Sequence, residues 1–285
     1  SKLYFTDNTG FFTYDKDWQL PTVKADVQLN TVLNENTSAI TTSLPTELDI
    51  EQLAQYLKQP VEAFFRQRLG VYFESLKEQN ETDEPFSLNK LEEYILANKL
   101  SQANTNNNFG AEVKKMELSG ALPLAGFKKI ISDDLAEKAQ TLESKKQEIT
   151  KDWPHRVAAQ SYNLELNVAL LKEGYLLSEH THTMRLTGVL QDWYSNHQQD
   201  RYMALQTRPG AVTHEKQIRL EVMANMWVKH LFACALGLPI TSYQVGLDEV
   251  VVLAAIDKHE AQKILSQLVS AYLDMWRELP KIACK

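Results

Sequence analysis

The sequence predicts a layered α/β fold, α+β in the broad sense, preceded by a helical section. Three observations predict it. Leu164, Leu166 and Val168 alternate with polar residues, the pattern of a half-buried strand. Apolar residues recur at helical spacing before the strands (Ile131, Leu135, Ala139, Leu142) and after them (Leu265, Leu268, Val269, Tyr272, Trp276). From residue 126 the order is helix, three strands, helix, strand, which must pack in layers around one core.

Residues 1–45 are rich in Thr, Asn and Asp with scattered aromatics (Tyr4, Phe5, Phe11, Phe12, Trp18), which reads as an arm or linker with short strands. Residues 46–125 read as a helical section. Helical text starts near Asp49 and runs through Leu53, Tyr56 and Leu57. Pro60 suits the first turn of the next helix, where Val61, Phe64, Phe65 and Tyr72 share a face. Arg68 falls in the middle of that apolar stripe, and Arg66 points away. An Arg so placed snorkels or pairs, and the expected partner is Asp83 or Glu84 in the following loop. Asn89 and Glu92 are spaced as a capping box. A short helix ends near Gly120, and a long one covers 127–150 before Trp153-Pro154.

Residues 126–285 form the expected α/β core. Strands are predicted over 184–190 and 202–207, joined as a hairpin by the polar stretch 195–200. Pro209-Gly210 turns the chain into a helix over about 216–236, which Gly237 and Pro239 end. Strand-like text resumes over 240–253, and Asp257 with Glu260 is spaced to cap the last helix.

The chain has 285 residues, a length that suits one large domain or two unequal ones. A net charge of −7 argues against a free-standing general DNA binder and suits a subunit partly covered by partners. No run approaches the roughly 18 apolar residues of a membrane span, and no signal peptide opens the chain. With two unpatterned cysteines, Cys234 (in apolar text, a buried thiol) and Cys284, these features predict a reducing, cytoplasmic location. The abrupt start and end read as those of a piece of a longer polypeptide.

The order of elements is similar to that of PD-(D/E)xK nucleases. Their chemistry needs an Asp ending the second core strand, and an acid and a Lys one residue apart on the third, so that the acids hold Mg²⁺. Here the second strand reads Leu186-Thr187-Gly188-Val189-Leu190-Gln191 and the third Ala204-Leu205-Gln206-Thr207-Arg208. Gln191 and Gln206 fall where the acids belong, and Arg208 where the Lys belongs. An amide brings no negative charge to offset desolvation of a hard cation. The framework is expected to be nuclease-like, with no catalytic residue and no metal. A shifted register would make Asp192 the acid, but adjacent strand residues face opposite sides, so this needs a bulge.

A longer resemblance points the same way. Gln59-Pro60-Val61-Glu62-Ala63-Phe64-Phe65-Arg66-Gln67-Arg68-Leu69-Gly70-Val71-Tyr72-Phe73 closely resembles a segment of the RecC family, the gamma subunits of bacterial exodeoxyribonuclease V. So do Asp83-Glu84-Pro85-Phe86-Ser87-Leu88 and Leu122-Pro123-Leu124-Ala125-Gly126-Phe127. The stretches 186–191, 205–209 and 227–237 match its C-terminal, nuclease-like domain more loosely. Residues 172–183 look like an insertion between the first two strands. The resemblance implies a subunit of a heterotrimer with a beta subunit (helicase–nuclease) and an alpha subunit (a second helicase). That complex unwinds and degrades DNA from its ends in double-strand-break repair and homologous recombination. The subunit itself splits the duplex, guides the single strands and, through its C-terminal domain, holds the alpha subunit. No Walker A motif is present, so ATP, like Mg²⁺, would belong to the partner subunits.

Trp193, Arg201, Arg208 and Arg66 are the candidates for DNA or partner contact. Trp193 reads more readily as a structural or protein-contact residue than as a base-stacking one, and Arg208 as one that fills the former Lys site. His180, His182 and His197 could supply metal ligands but read as part of a solvated insertion and its surroundings. Two alternatives compete with the scaffold reading: an autonomous metal-dependent nuclease, and a stand-alone single-strand DNA-binding module lined by Arg185, Arg201, Arg208 and Lys229.

Overall fold

A computed structural model describes residues 44–72, 88–103, 109–122, 127–172 and 175–277. The chain divides into two units, Ser1–Ser43 and Leu44–Lys285, and the described residues all lie in the second. All of the expected arm but residues 44 and 45 therefore lies outside them.

The fold is mixed α+β. β1 (Glu47–Asp49) leads into α1 (Ile50–Lys58), α2 (Pro60–Ala63, continuing as a π-turn over Phe64–Arg68), α3 (Lys90–Ala103), α4 (Phe109–Leu118) and α5 (Phe127–Thr150). Then come β2 (His155–Val157), β3 (Gln160–Lys172), β4 (Tyr175–Leu190), β5 (Trp193–Ser195), β6 (Tyr202–Thr207), β7 (Thr213–His214) and β8 (Gln217–Ile218). α6 (Leu220–Ala235), β9 (Ile240–Val245), β10 (Val250–Leu253) and α7 (Lys258–Arg277) complete it. One sheet has the order β1-β4-β3, a second β10-β9-β6-β5-β2, and β7-β8 form a ribbon.

Period-two alternation fixes the layers. Tyr202 and Ala204 of β6 face a main core that includes Leu186, Phe232 and Leu265. Met203 and Leu205 face the other side, where Leu142 of α5 packs with Val245. The second sheet is thus covered by α6 on one face and α5 on the other. The N-terminal part of α5 forms a separate core, Leu135 and Ala139 against Leu96, Leu100 and Met116 of α3 and α4.

Several sequence expectations are corrected. Residues 46–125 are not all helical: β1 pairs in parallel with β4 (Leu48 opposite Leu186), and Leu48 and Ile50 sit in the main core. The stretch 195–200 does not join the second strand to the third, because Asp192 takes a left-handed backbone (φ 55°) that ends β4. A new strand, β5, then pairs with β6, with Trp193 opposite Ala204, in the other sheet. α6 starts at Leu220 rather than near 216, since Glu215 (φ 49°) and Lys216 (φ 65°) make the turn of the β7-β8 ribbon. The text of 240–253 is two antiparallel strands, Val250 opposite Val245. Residues 172 and 175–183, read as an insertion, lie in the β3-β4 hairpin, whose register shifts at Ala169/Leu170.

Local chemistry explains the remaining boundaries. Asp49 caps α1 by accepting from Glu51 N (2.7 Å), while Gln52 reaches back to Asp49 N, a capping box. Asn89 accepts from Leu91 N and Glu92 N, and Glu92 returns a bond to Asn89 N. Each such cap stabilises its helix by about 1 kcal/mol. Asp257 accepts from His259 N (2.8 Å) to start α7.

Candidate functional site

Gln191 and Gln206 converge. Gln191 follows the last residue of β4, and Gln206 sits near the C-terminal end of β6 on the face toward α6, in register with Gln244 of β9. Both line one cavity of about 20 Å³, with Met226, Lys229 and His230 of α6 and Ser242 of β9. That is room for about one water molecule. Gln206 Nε2 donates to Asn225 Oδ1 at 3.5 Å. Lys229, one turn further along α6, is 15% exposed in its side chain, and its Nζ lies 3.1 Å from Glu51 Oε1 of α1.

Behind the cavity His230 is buried and fully partnered. Its Nε2 donates to the Ala254 carbonyl (3.0 Å), so Nδ1 accepts from the Ser242 hydroxyl (2.9 Å). Burial pushes its pKa below the ordinary histidine value, partly opposed by the Ala254 carbonyl. Cys234, one turn on, is 1% exposed, and burial raises its thiol pKa, so it stays protonated.

Arg208 goes elsewhere. Its guanidinium lies 5.1 Å from the centroid of the Tyr94 ring on α3, and its buried Nε has no hydrogen-bond partner among the described residues. The lining of the cavity does not include it. Asp192 also turns away, pairing with Arg156 at 3.1 Å with both side chains more than half exposed. Asp192 takes a positive φ just past the end of β4, and its carboxylate pairs outward with Arg156.

Trp193 is corrected as a contact candidate. It is 2% exposed, its Nε1 donates to the Ala158 carbonyl, and its ring packs between Tyr162 and Tyr202. Arg201 is exposed. Arg66 pairs with Glu62 (3.1 Å) and lies over the Tyr72 ring. Arg68 Nε donates to the Trp276 carbonyl (3.0 Å) and its guanidinium covers the Trp276 ring. Its expected partners Asp83 and Glu84 lie outside the described residues. His182 Nε2 donates to the Pro45 carbonyl (2.7 Å), and His197 meets the ring of His155 edge-on. The side chain of His180 lies outside the described residues. No group of three or more His, Cys, Asp or Glu that could hold a metal ion occurs among the described residues.

Sequence reasoning missed Glu51, Asn225 and the His230–Ser242 pair. Asn225 and Lys229 stand four apart on one helix, a signal available from spacing alone. Glu51 could be found only once α1 was known to pack on α6.

The donor set does not fit a hard divalent cation. Such an ion needs about six oxygens, carboxylates among them. Gln191 and Gln206 supply neutral amides, and no carboxylate lines the cavity.

The fold and the cavity define a mixed α+β domain whose hairpin end closes on amides and a lysine. The chain belongs to the RecC C-terminal domain family, whose model matches residues 45–285. It is 33% identical over 100 residues to the RecBCD enzyme subunit RecC of Haemophilus influenzae, a match covering 35% of this chain and 9% of that protein. A solved chain titled "Crystal structure of SSO0001" shares 8% identity, with 85% of this chain and 83% of that one covered, at a TM-score of 0.33. No described helix is long and apolar enough to cross a membrane.

Proposed function

We propose that this chain is a non-catalytic domain of an exodeoxyribonuclease V-type complex, acting in double-strand-break repair and homologous recombination. It holds partner subunits, notably the alpha subunit, and helps guide the separated DNA strands. One observation supports the reading: Gln191 and Gln206, which fall where the sequence pattern of a nuclease puts its metal acids, line one cavity of about 20 Å³ with no acid in its lining. Hydrolysis of a phosphodiester by two-acid metal chemistry has no acid to start from there. Family membership supports the reading, as does similarity to a relative named as a RecBCD subunit. Mg²⁺ and ATP chemistry then fall to the beta and alpha subunits. Arg201 is the exposed candidate for a strand phosphate, while Arg208 and Arg66 serve structure first.

Size-exclusion chromatography of the purified chain with the alpha subunit, or with its N-terminal part, tests this. Co-migration at micromolar concentration is expected. Separate elution at that concentration would contradict the scaffold role.

A further inference from the structure

β10 ends one side of the second sheet, and among the described strands it pairs only with β9. The turn bond from Gly246 N to the Glu249 carbonyl sets the phase of that pairing. Hydrogen-bonded pairs alternate along an antiparallel ladder, so Val251 and Leu253 bond to β9. The N–H and C=O groups of Val250 and Val252 then point off the sheet. Edge strands are ordinarily blunted by Lys, by Pro or by a bulge against pairing with another chain. This one reads Val250-Val251-Val252-Leu253 in continuous register and has none of these. Beside it lies an apolar groove of about 480 Å³, lined by Val251, Leu253, Ile218, Leu220, Trp227 and Leu57. Ile218 is 49% exposed, Leu220 78% and Val252, on the other face of the strand, 52%.

We propose that this edge and groove take up one extended apolar segment of a partner chain, which adds a strand to the sheet beside β10. The open main-chain groups call for an extended backbone, and the groove calls for an apolar side chain at every second residue. Glu249 is exposed at the start of β10 and favours a cationic residue at that end of the segment. A second copy of this chain fits less well. The open apolar surface amounts to a few hundred square ångströms, whereas two folded chains bury roughly 1,200 Å² or more when they associate stably. A single segment is held by main-chain bonds and needs no such area. The inference goes beyond the scaffold role and holds whichever chain supplies the segment.

The probe is a fluorophore-labelled octapeptide, Lys-Thr-Val-Thr-Leu-Thr-Val-Lys, whose binding to the whole chain is read by fluorescence anisotropy. Two further versions are N-methylated at alternate residues. Only alternate N–H groups of an added strand face β10, so one methylated version is expected to bind about tenfold weaker than the other. Val252→Pro removes an outward N–H and leaves the ladder to β9 intact. Leu220→Asp puts a charge into the groove. Each is expected to weaken binding of the unmethylated peptide about tenfold, with folding checked by circular dichroism. Equal binding by the two methylated versions would overturn strand addition. No binding to the unmodified chain at millimolar peptide would overturn the site. Self-association of the unmodified chain that Val252→Pro abolishes would give the edge to a second copy and overturn the partner segment. The methylated pair is measured on the unmodified chain, so the test stands even where a variant does not fold. None of these measurements involves the alpha subunit, so their failure leaves the scaffold reading as it was.

Discussion

The behaviour of single residues around the cavity follows from where their charges go. Arg208 has left the strand line and lies against Tyr94, so its energetic worth is a contact between the sheet and the helical section. A double-mutant cycle of Arg208→Met and Tyr94→Leu is expected to give a coupling of about 0.5–1 kcal/mol. Zero coupling would return Arg208 to the list of free cations. His230 makes a pH prediction. Its folded pKa lies below the unfolded value of about 6.5, so the fold favours the neutral ring. Its contribution to stability is complete above that unfolded value and is lost as pH falls from there through the folded pKa. Urea midpoints at pH 8 and pH 5.5 are expected to differ less for His230→Gln than for the unmodified chain. An unchanged difference would mean that His230 is not the titrating group. Asp248 acts in the same direction at lower pH. Burial pushes its pKa up, but the Thr213 hydroxyl and the N–H groups of Val212, Thr213 and Glu249 outweigh this and hold it well below the usual range.

At the scale of elements, the site depends on how closely α1 lies on β4. Gly188 permits that approach: a Cβ there would come within 2.3 Å of Ile50 Cδ1 and 2.5 Å of its Cγ1. Gly188→Ala is therefore expected to destabilise by about 1–3 kcal/mol, and Ile50→Val in the same chain to recover part of it. Thermal unfolding of the two variants measures both. Full stability of Gly188→Ala would show that α1 moves freely over the strand. Elements with strong local signals were legible in the sequence. α5 and the caps at Asn89 and Asp257 follow from spacing and cap chemistry within a few residues of chain. β1 was not legible, because Glu47-Leu48-Asp49 becomes a strand only through its partner Arg185-Leu186-Thr187, far along the chain. The break at Asp192 was equally hidden, since a positive φ at an Asp has no signature in alternation. The two glutamines were legible by position, but their shared cavity was not, because β4 and β6 lie in different sheets and no strand register relates them. The lysine beside them was visible as a residue but not as a neighbour, because that depends on α6 crossing the end of β6.

At the scale of the whole molecule, the described residues build a mixed α+β frame around a cavity lined by two glutamines and a lysine. α5 ties the parts together, with Leu135 in the helical core and Leu142 under the second sheet. The helical section is thereby fixed to the sheet that carries Gln206. The central claim is that the frame performs no phosphodiester hydrolysis. Its most direct test is incubation of the purified chain with linear double- and single-stranded DNA in Mg²⁺ or Mn²⁺, with products read on denaturing gels. Uncut DNA in both metals is the predicted result. Cleavage that Asp192→Ala abolishes would contradict the account and make this chain an enzyme.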